Sequence, residues 1–400
     1  MKILILGHNA ATHIIAQALL QNKEVTTLYH VEPAKHIQPT DRYIPLRYED
    51  PTKTLLDFIN TTHLDMVIAV YHRWQLWQEL HDLLAAKNIP TFMPSKSIGM
   101  LEWSKRLSKD LFAKAGVPCA DFKSFTVETL LADFDTLTFP FVLKFEKVWR
   151  AGRQTIIVNN DNKEEVRLLL MKETDISQEC IVEDFIENVR EFSFHAMCNA
   201  KGWCYLGSAR DYKKRYEGDV GHNTVGMGSY RIGDVDPIVH TYVDKILAEL
   251  KNQGIEYIGF MYLGIVIDKS GKPWILEMNT RPGDPEIQSI LPCIKNNLLE
   301  LFKTAVANEP FPKIEFVDQQ VVTVRLVNKI YEMGYHTTVM PEYGSPETIQ
   351  IAHNAYQDLL HSTLTTTAPT RKEASDKLYT FLKTINTGDY TYRTDIGYLD

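Results

Sequence analysis

No apolar run in this 400-residue chain approaches the ~20 consecutive residues that span a bilayer, and Met1-Lys-Ile-Leu-Ile-Leu-Gly7 is too short for a secretory signal. A membrane role is excluded and a cytoplasmic protein is expected. Positive charge is scarce as well: 43 Lys and Arg against 51 Asp and Glu leave a net charge of -8, where a nucleic-acid binder normally shows a basic face. A local basic pocket for anions is compatible with that balance. The five cysteines (Cys119, Cys180, Cys198, Cys204, Cys293) are odd in number and lack zinc-like spacing, which predicts reduced core residues and neither a disulfide framework nor a metal site. The loop Gly7-His-Asn-Ala-Ala-Thr-His13 lacks the three glycines of a dinucleotide fingerprint, so an NAD site is not expected. Internal repeats, low-complexity segments and a recognisable nucleophilic triad are missing too.

What is present is a globular composition, 44% apolar and 24% charged, in a chain long enough for two or three domains. An apolar run at residues 2–6, a helical pattern at 12–21 and a β-rich run at 24–29 place the Gly7 to His13 loop at the carboxyl end of the first strand, where α/β folds bind ligands. A helix at 54–60, a strand at 65–70 and an amphipathic helix at about 74–86 complete a small doubly wound domain, left through Pro90 to Pro94. Trp74-Gln-Leu-Trp-Gln-Glu-Leu80 repeats apolar residues at helical spacing and reads as core.

From Met100 a single amphipathic helix is expected, stopped by Gly116 and Pro118, with Lys105 and Lys109 one turn apart on one face. Strands follow at 139–144, 154–158 and 180–186, then an alternating strand from Arg190 on which Glu191 faces outward. The polar tract 211–230 reads as a long loop, which is uncommon in a compact domain unless it serves a function. A helix at 236–252 and a strand at 259–268 lead to the chemically richest stretch.

That stretch is Ile275-Leu-Glu-Met-Asn-Thr-Arg-Pro-Gly-Asp-Pro-Glu-Ile-Gln288. Residues two apart in a strand share a face, so Glu277, Asn279 and Arg281 present a carboxylate, an amide oxygen and a guanidinium together. Hard oxygen ligands beside a fixed positive charge suit Mg²⁺ and the phosphates it carries. A surface ion pair between Glu277 and Arg281, with Asn279 opening a turn, is the bland alternative, because short motifs are often false positives.

The run resembles the metal-binding strand of the ATP-grasp ligases, and its Gly283-Asp-Pro-Glu-Ile-Gln288 end resembles the glycinamide ribonucleotide synthetase family among them. Leu101-Glu-Trp-Ser-Lys-Arg-Leu-Ser-Lys-Asp110 is similar to that family's helix in which the lysine matching Lys105 contacts nucleotide phosphate. The resemblance makes the 180–186 strand the hinge that reads adenine, implying Glu183, Phe185 and Ile186 as nucleotide-binding residues, with Glu191 on the ribose and Lys144 on the phosphates. The 211–230 tract resembles the family's Asp-His-Lys-Arg and Asn-Thr-Gly-Gly-Met-Gly pattern, with Val225 in place of one glycine. It implies Asp211 as a catalytic residue and Lys213, Lys214, Asn223, Thr224, Gly226 and Met227 as substrate-binding residues. Tyr392-Arg-Thr-Asp-Ile-Gly397 is similar to the family's terminal Arg-x-Asp-Ile-Gly. Many ATP-grasp enzymes carry a further acidic metal ligand twelve residues before the position of Glu277; here it is Ile265, as in the apolar pattern of the synthetase family.

The resemblance implies a multidomain α/β and α+β protein: an N-terminal doubly wound domain at 1–95, an ATP-grasp core at 96–310 with its nucleotide-binding part at about 120–190, and a small C-terminal α+β domain at 311–400. It implies ATP and Mg²⁺ (or Mn²⁺) as cofactors, Glu277 and Asn279 as metal ligands, and Arg281 and Lys144 as catalytic cations. Gly7, Asn9, His13, Arg281, Gly283, Asp284, Pro285 and Glu286 would contact substrates, namely an amino acid and an amine, in a monomer or homodimer. The implied reaction is ADP-forming: an acyl phosphate of glycine attacked by phosphoribosylamine, in purine biosynthesis. Two departures matter. The segment 146–155 holds one glycine where the family's phosphate-covering loop has about three, and the first loop lacks the arginine, the glutamate and two glycines of an approximate Gly-Asn-Gly-Gly-Arg-Glu-His. A paralogous ligase with another amine or acid, and a nucleotide-binding regulator without turnover, stay open as alternatives.

Overall fold

The computed structural model describes residues 1–33, 37–47, 51–71, 77–146, 155–233, 235–328, 349–354, 361–385, 387–388 and 390–398. Strand Lys2–Leu6 turns Ile3 and Ile5 to one face and Leu4 and Leu6 to the other, and all four are fully buried. Burial on both faces is what a strand inside a parallel sheet requires. Five parallel strands lie in the order Tyr43–Leu46, Thr27–Val31, Lys2–Leu6, Met66–Ala69, Thr91–Phe92. The chain steps outward from Lys2–Leu6 and then returns to its other side. The order therefore reverses there, and the Gly7 loop sits at the switch point. Of the helix expected at 74–86, Gln78–Ala86 is seen; residues 72–76, Trp74 included, lie outside the described residues.

The single helix expected from Met100 is two, Lys96–Trp103 and Lys105–Lys114. Between them Ser104 is extended (φ -106°, ψ 110°), and its hydroxyl accepts the Leu107 N–H at 3.2 Å. The Glu146 carboxylate accepts the N–H groups of Lys105 and Arg106 at 2.9 Å each. A negative group on the open N–H groups of a helix start is favourable, and it stabilises the break.

Next comes a lobe with its own apolar centre. Its antiparallel sheet runs Phe122–Thr126, Glu179–Asp184, Phe141–Phe145, Thr155–Val158, backed by helices Val127–Asp133 and Lys163–Met171. Val127, Leu130, Phe141, Leu143 and Leu170 fill its interior.

The largest sheet is antiparallel, in the order Pro273–Asn279, Gly259–Asp268, Asn188–Asn199, Gly202–Asp211, Gly228–Ile232, Gln320–Asn328, His361–Ala368, Ile349–Asn354, with Tyr390–Thr391 on the end of Gln320–Asn328. The C-terminal strands thus continue the core sheet. Alternation along Asn188–Asn199 sends Phe194, Ala196 and Cys198 toward helix Pro237–Asn252, while Met197 faces the opposite side. That opposite side is shared with the first domain: Ile3, Ile5, Ile14 and Leu19 join Met197, Leu206, Phe260, Ile287 and Phe302 in one cluster. Each such buried side chain contributes roughly 1.5–3 kcal/mol, so the two sheets are firmly joined. The cysteines are free, with Cys180, Cys198, Cys204 and Cys293 buried and Cys119 half-buried. Among the described residues no helix is long and apolar enough to cross a membrane.

Candidate active site

Strand Pro273–Asn279 pairs with Gly259–Asp268 through an irregularity: Ile275 faces Ile265 and Glu277 faces Gly264, leaving Leu276 as an extra residue. Such a bulge takes a carbonyl out of the ladder, and here the Leu276 carbonyl accepts Lys144 Nζ at 3.0 Å. Glu277 and Asn279 emerge side by side, Asn279 Nδ2 lying 3.5 Å from Glu277 Oε1, and Lys105 Nζ lies 3.8 Å from Glu277 Oε2. Burial works against the Glu277 charge, but Lys105, Lys213, Lys144 and Arg281 outweigh it and hold the carboxyl down to about 2. Ile265, twelve residues before Glu277, is fully buried in the large core.

Arg281 lies just past the strand and is held from behind. Its Nε donates to Glu102 Oε1 at 2.9 Å, while Glu102 Oε2 accepts the Thr280 N–H at 3.0 Å and hydroxyl at 3.2 Å. Lys144 also bonds Glu183 at 2.9 Å, and Lys109 meets the other Glu183 oxygen at 3.2 Å. The Glu183 side chain therefore turns inward to tie the Lys105–Lys114 helix to the lobe. Phe185 and Ile186 form the half-buried connector into Asn188–Asn199.

The 211–230 tract, expected as an irregular loop, contains a two-stranded hairpin, Lys214–Tyr216 with Val220–Asn223. Lys213, just before it, reaches Glu191 at 2.8 Å. Burial opposes its charge, yet Glu191, Tyr262, Glu277 and Asp211 carry it well above the usual lysine range. Asp211 is pushed the other way for a carboxyl: burial and then Glu286 raise it, with Lys213 and Arg325 opposing. Thr224 is inward, its hydroxyl donating to the Lys213 carbonyl at 3.0 Å, whereas Asn223 is exposed on the hairpin. Gly226 has φ +98°, and a Cβ there would stand 2.6 Å from both Asp211 Oδ1 and Pro285 Cδ, so glycine is needed. The structure does not bring the Met227 side chain into this group; it is buried in the core, and its backbone bonds Tyr212 and Arg325.

The turn 283–286 closes the site. Gly283 N–H donates to His195 Nε2 at 3.1 Å, and burial followed by Arg281 pushes His195 down to about 3, so that ring is neutral. Asp284 is ion-paired with the fully buried Arg325 and accepts Gln288 Nε2 at 2.8 Å. The Pro285 carbonyl accepts the Ser229 hydroxyl at 2.8 Å. Glu286 is buried against Gly283, and burial raises its carboxyl.

At the switch point the first loop is largely spoken for by its own surroundings. The Gly7 carbonyl bonds His30 Nε2 at 2.8 Å, Asn9 Oδ1 accepts the Thr12 N–H at 3.0 Å, and Ala10, Ala11 and Thr12 are buried in the first turn of helix Ala10–Leu20. His13 is buried in the same helix. Across the crevice the His8 and Tyr71 rings meet edge to face at 4.2 Å, and Tyr71 is close enough to favour the Arg281 charge. Residues 147–154, within the segment expected to cover the phosphates, lie outside the described residues.

Comparison with known proteins agrees with this geometry. Residues 1–102 match the sequence model of the phosphoribosylglycinamide synthetase N domain, and residues 103–287 match that of the phosphoribosylglycinamide synthetase ATP-grasp (A) domain. The phosphoribosylamine–glycine ligase of Escherichia coli O157:H7 is 30% identical over 315 residues, covering 75% of this chain and 72% of its own. The chain belongs to the phosphoribosylglycinamide synthetase family. The ligase of the same name from Streptococcus pneumoniae serotype 4 is 29% identical over 423 residues and 99% of both chains. In fold, the crystal structure of the phosphoribosylamine–glycine ligase of Thermotoga maritima matches with a TM-score of 0.79 at 23% identity, over 99% of this chain and 100% of that one. Biotin carboxylase of Campylobacter jejuni matches with 0.72 at 17%, over 98% and 92%.

Four residues of this phosphoribosylglycinamide synthetase family site escaped the sequence reading: Glu102, His195, Tyr262 and Arg325. Lys109, read with Lys105 on one helix face, is turned onto Glu183, and Glu102 left a trace inside the same helix motif. Arg325 left none; its surroundings predict an apolar strand residue, and its partner Asp284 is 41 positions away.

Proposed function

We propose that the chain is a cytoplasmic ATP-dependent ligase of purine biosynthesis that joins glycine to phosphoribosylamine, with ADP and phosphate as the other products. A glycine carboxylate oxygen attacks the γ-phosphorus, the bond to ADP breaks, and the acyl phosphate is then attacked by the amine nitrogen with loss of phosphate and one proton. Such chemistry needs positioning and charge neutralisation and no side-chain nucleophile. Lys105 and Lys144 take the phosphates, with Lys109 behind them, and Arg281, braced by Glu102, faces the transferring group. Asp211, a carboxyl raised by burial, is suited to receive the amine's proton. Lys213 and Glu286 hold the substrates.

Glu277 and Asn279 offer two hard oxygens, which suits Mg²⁺ or Mn²⁺, ions that keep water and phosphate oxygens in the rest of their shell. Among the described residues no group of three His, Cys, Asp or Glu could hold a metal alone, so the ion would be shared with the nucleotide. When bound, it would neutralise charge on the phosphates.

The observation that carries this reading is the gathering of Lys105, 3.8 Å from Glu277, Lys144, on the Leu276 carbonyl, and Lys213, from three separate parts of the chain, around the strand end at Glu277. Another amine is the second reading, favoured by the buried alanines of the first loop. Purified protein with ATP, glycine and phosphoribosylamine is expected to yield ADP and phosphate together, and Glu277→Gln to lose turnover while keeping its fold. Pyrophosphate release, or turnover with other amines and none with phosphoribosylamine, refutes the assignment.

A further inference from the structure

The terminal Tyr392-Arg-Thr-Asp-Ile-Gly397 touches the Lys213 to Asn223 tract repeatedly, although 174 to 179 positions separate the partners. The hairpin Lys214–Tyr216/Val220–Asn223 stands alone as a two-stranded sheet, its second strand exposed at every residue. An isolated hairpin is marginally stable in water, so its position depends on tertiary contacts.

The terminal turn supplies them. Arg393, 1% exposed, donates from Nη1 to the Lys214 carbonyl at 3.0 Å and to Asp219 Oδ1 at 2.8 Å. Its Nε and Nη2 form a fork on Asp395 at 2.8 and 2.7 Å, and Asp395 Oδ2 in turn accepts the Gly218 N–H at 2.8 Å. Thr394 N–H donates to Glu217 Oε1 at 3.1 Å, and Gly397 N–H donates to the Tyr212 hydroxyl at 3.2 Å. The turn itself is fixed from below. Ile396 is fully buried, and the Tyr379 hydroxyl donates to the carbonyls of Arg393 and Ile396 at 3.1 and 3.2 Å. Gly397 has φ +83°, and a Cβ there would lie 2.2 Å from Ser375 Oγ.

We infer that Arg393 is a positioning residue for Lys213: the terminal turn clamps the hairpin onto the large sheet and thereby aims the Lys213 ammonium at the Glu191 carboxylate. Two successive carbonyls decide where that side chain starts. The Lys213 carbonyl is held by Thr224, through N–H at 2.7 Å and hydroxyl at 3.0 Å, and the Lys214 carbonyl is held by Arg393. Lysine has a flexible four-carbon stem, so its reach is set by the backbone beneath it. Only a planar fork of five donors serves the Lys214 carbonyl, Asp219 and both oxygens of Asp395 together; a lysine in its place cannot.

This inference rests on the substrate role given to Lys213 above, and the test separates the two. Arg393→Lys and Asp395→Asn, milder than truncation, are each made in the wild-type and Lys213→Ala backgrounds. Expected are a KM for glycine or the amine raised ~10-fold with the KM for ATP within ~2-fold, and no further loss when Lys213 is already absent. Amide hydrogen exchange over residues 214–223 is expected to accelerate in both variants while helix Pro237–Asn252 keeps its protection. Additive losses in the Lys213→Ala background, or unchanged exchange over 214–223, overturn the inference alone. Wild-type kinetics in Lys213→Ala itself would overturn the Lys213 assignment and the inference with it.

Discussion

Two lysine–glutamate contacts flank the site, alike in chemistry and opposite in surroundings. Glu183 meets Lys109 and Lys144 with side chains 2%, 2% and 7% exposed, whereas Lys213 and Glu191 are 34% and 43% exposed. A buried ionic group depends on every partner, because any charge left over has no water to turn to. A half-exposed pair is screened and holds its partners weakly. The first contact therefore belongs to the frame, locking helix Lys105–Lys114 to the lobe. The second keeps water within reach when its partners part, and Glu191 is the largest of the groups that hold the Lys213 charge.

The largest expected effect tests the frame. Glu183→Ala leaves two ammonium groups facing each other in the interior and should destabilise the protein by about 3–5 kcal/mol, read as a drop in the urea midpoint. A midpoint shift no larger than that of Glu191→Ala would dissolve the distinction between the two contacts.

A smaller effect should appear with pH, and it separates burial with counter-charges from burial without them. His195, pushed down to about 3 from the ordinary 6.5, is neutral when folded and takes up a proton on unfolding, so stability should decline as pH falls below 6.5 and through 3. Glu277, held at about 2 against 4.5, contributes stability above pH 4.5 that is lost as pH falls toward 2. Both slopes have one sign but start two units apart, since 6.5 and 4.5 are the unfolded values. Denaturant midpoints measured from pH 7 to 3 should lose part of the upper slope in His195→Asn, the buried His30, pushed down to about 4, keeping the rest, and should retain the lower part. An unaltered upper slope would mean another group titrates there.

The smallest expected change in stability, below ~1 kcal/mol, is for Glu191→Gln, which removes the exposed partner. Its midpoint should match wild type while the KM for ATP or the amine moves; a large loss of stability would place this pair in the frame as well.

The parts of this molecule that were legible in its sequence are those that local periodicity controls. Strands Lys2–Leu6 and Gly259–Asp268 have the bounds that their apolar runs suggest, and the strand carrying Glu277 runs on through its polar set to Asn279. What escaped depends on partners remote in the chain. The break at Ser104 is stabilised by Glu146, 41 positions beyond Lys105, and no helical pattern registers a carboxylate that far away. Arg281 reads as a free cation until Glu102 is found beneath it, 179 positions earlier. The hairpin at 214–223 shows no alternation because its second strand has no buried face, so its polar residues look like a loop. The C-terminal strands read as a separate unit because nothing local reveals that Gln320–Asn328 pairs with Gly228–Ile232.

One feature of the lobe bears on how the chain could be cut. Its first and last strands pair with each other, Phe122 opposite Glu183, and the Asp184 N–H bonds the Asp121 carbonyl at 2.9 Å. The chain thus leaves and returns at a single rung, around an apolar centre that, among the described residues, it shares with no other part. Residues 122–183 are in effect a cassette with neighbouring ends, and any replacement has to restore its ties to the rest: Glu183 on Lys109, Lys144 on the Leu276 carbonyl and Glu146 on the start of helix Lys105–Lys114. The first domain allows no such exchange. Severing it would strip the cover from Met197, Leu206 and Phe260 and leave the back of the large sheet open to self-association.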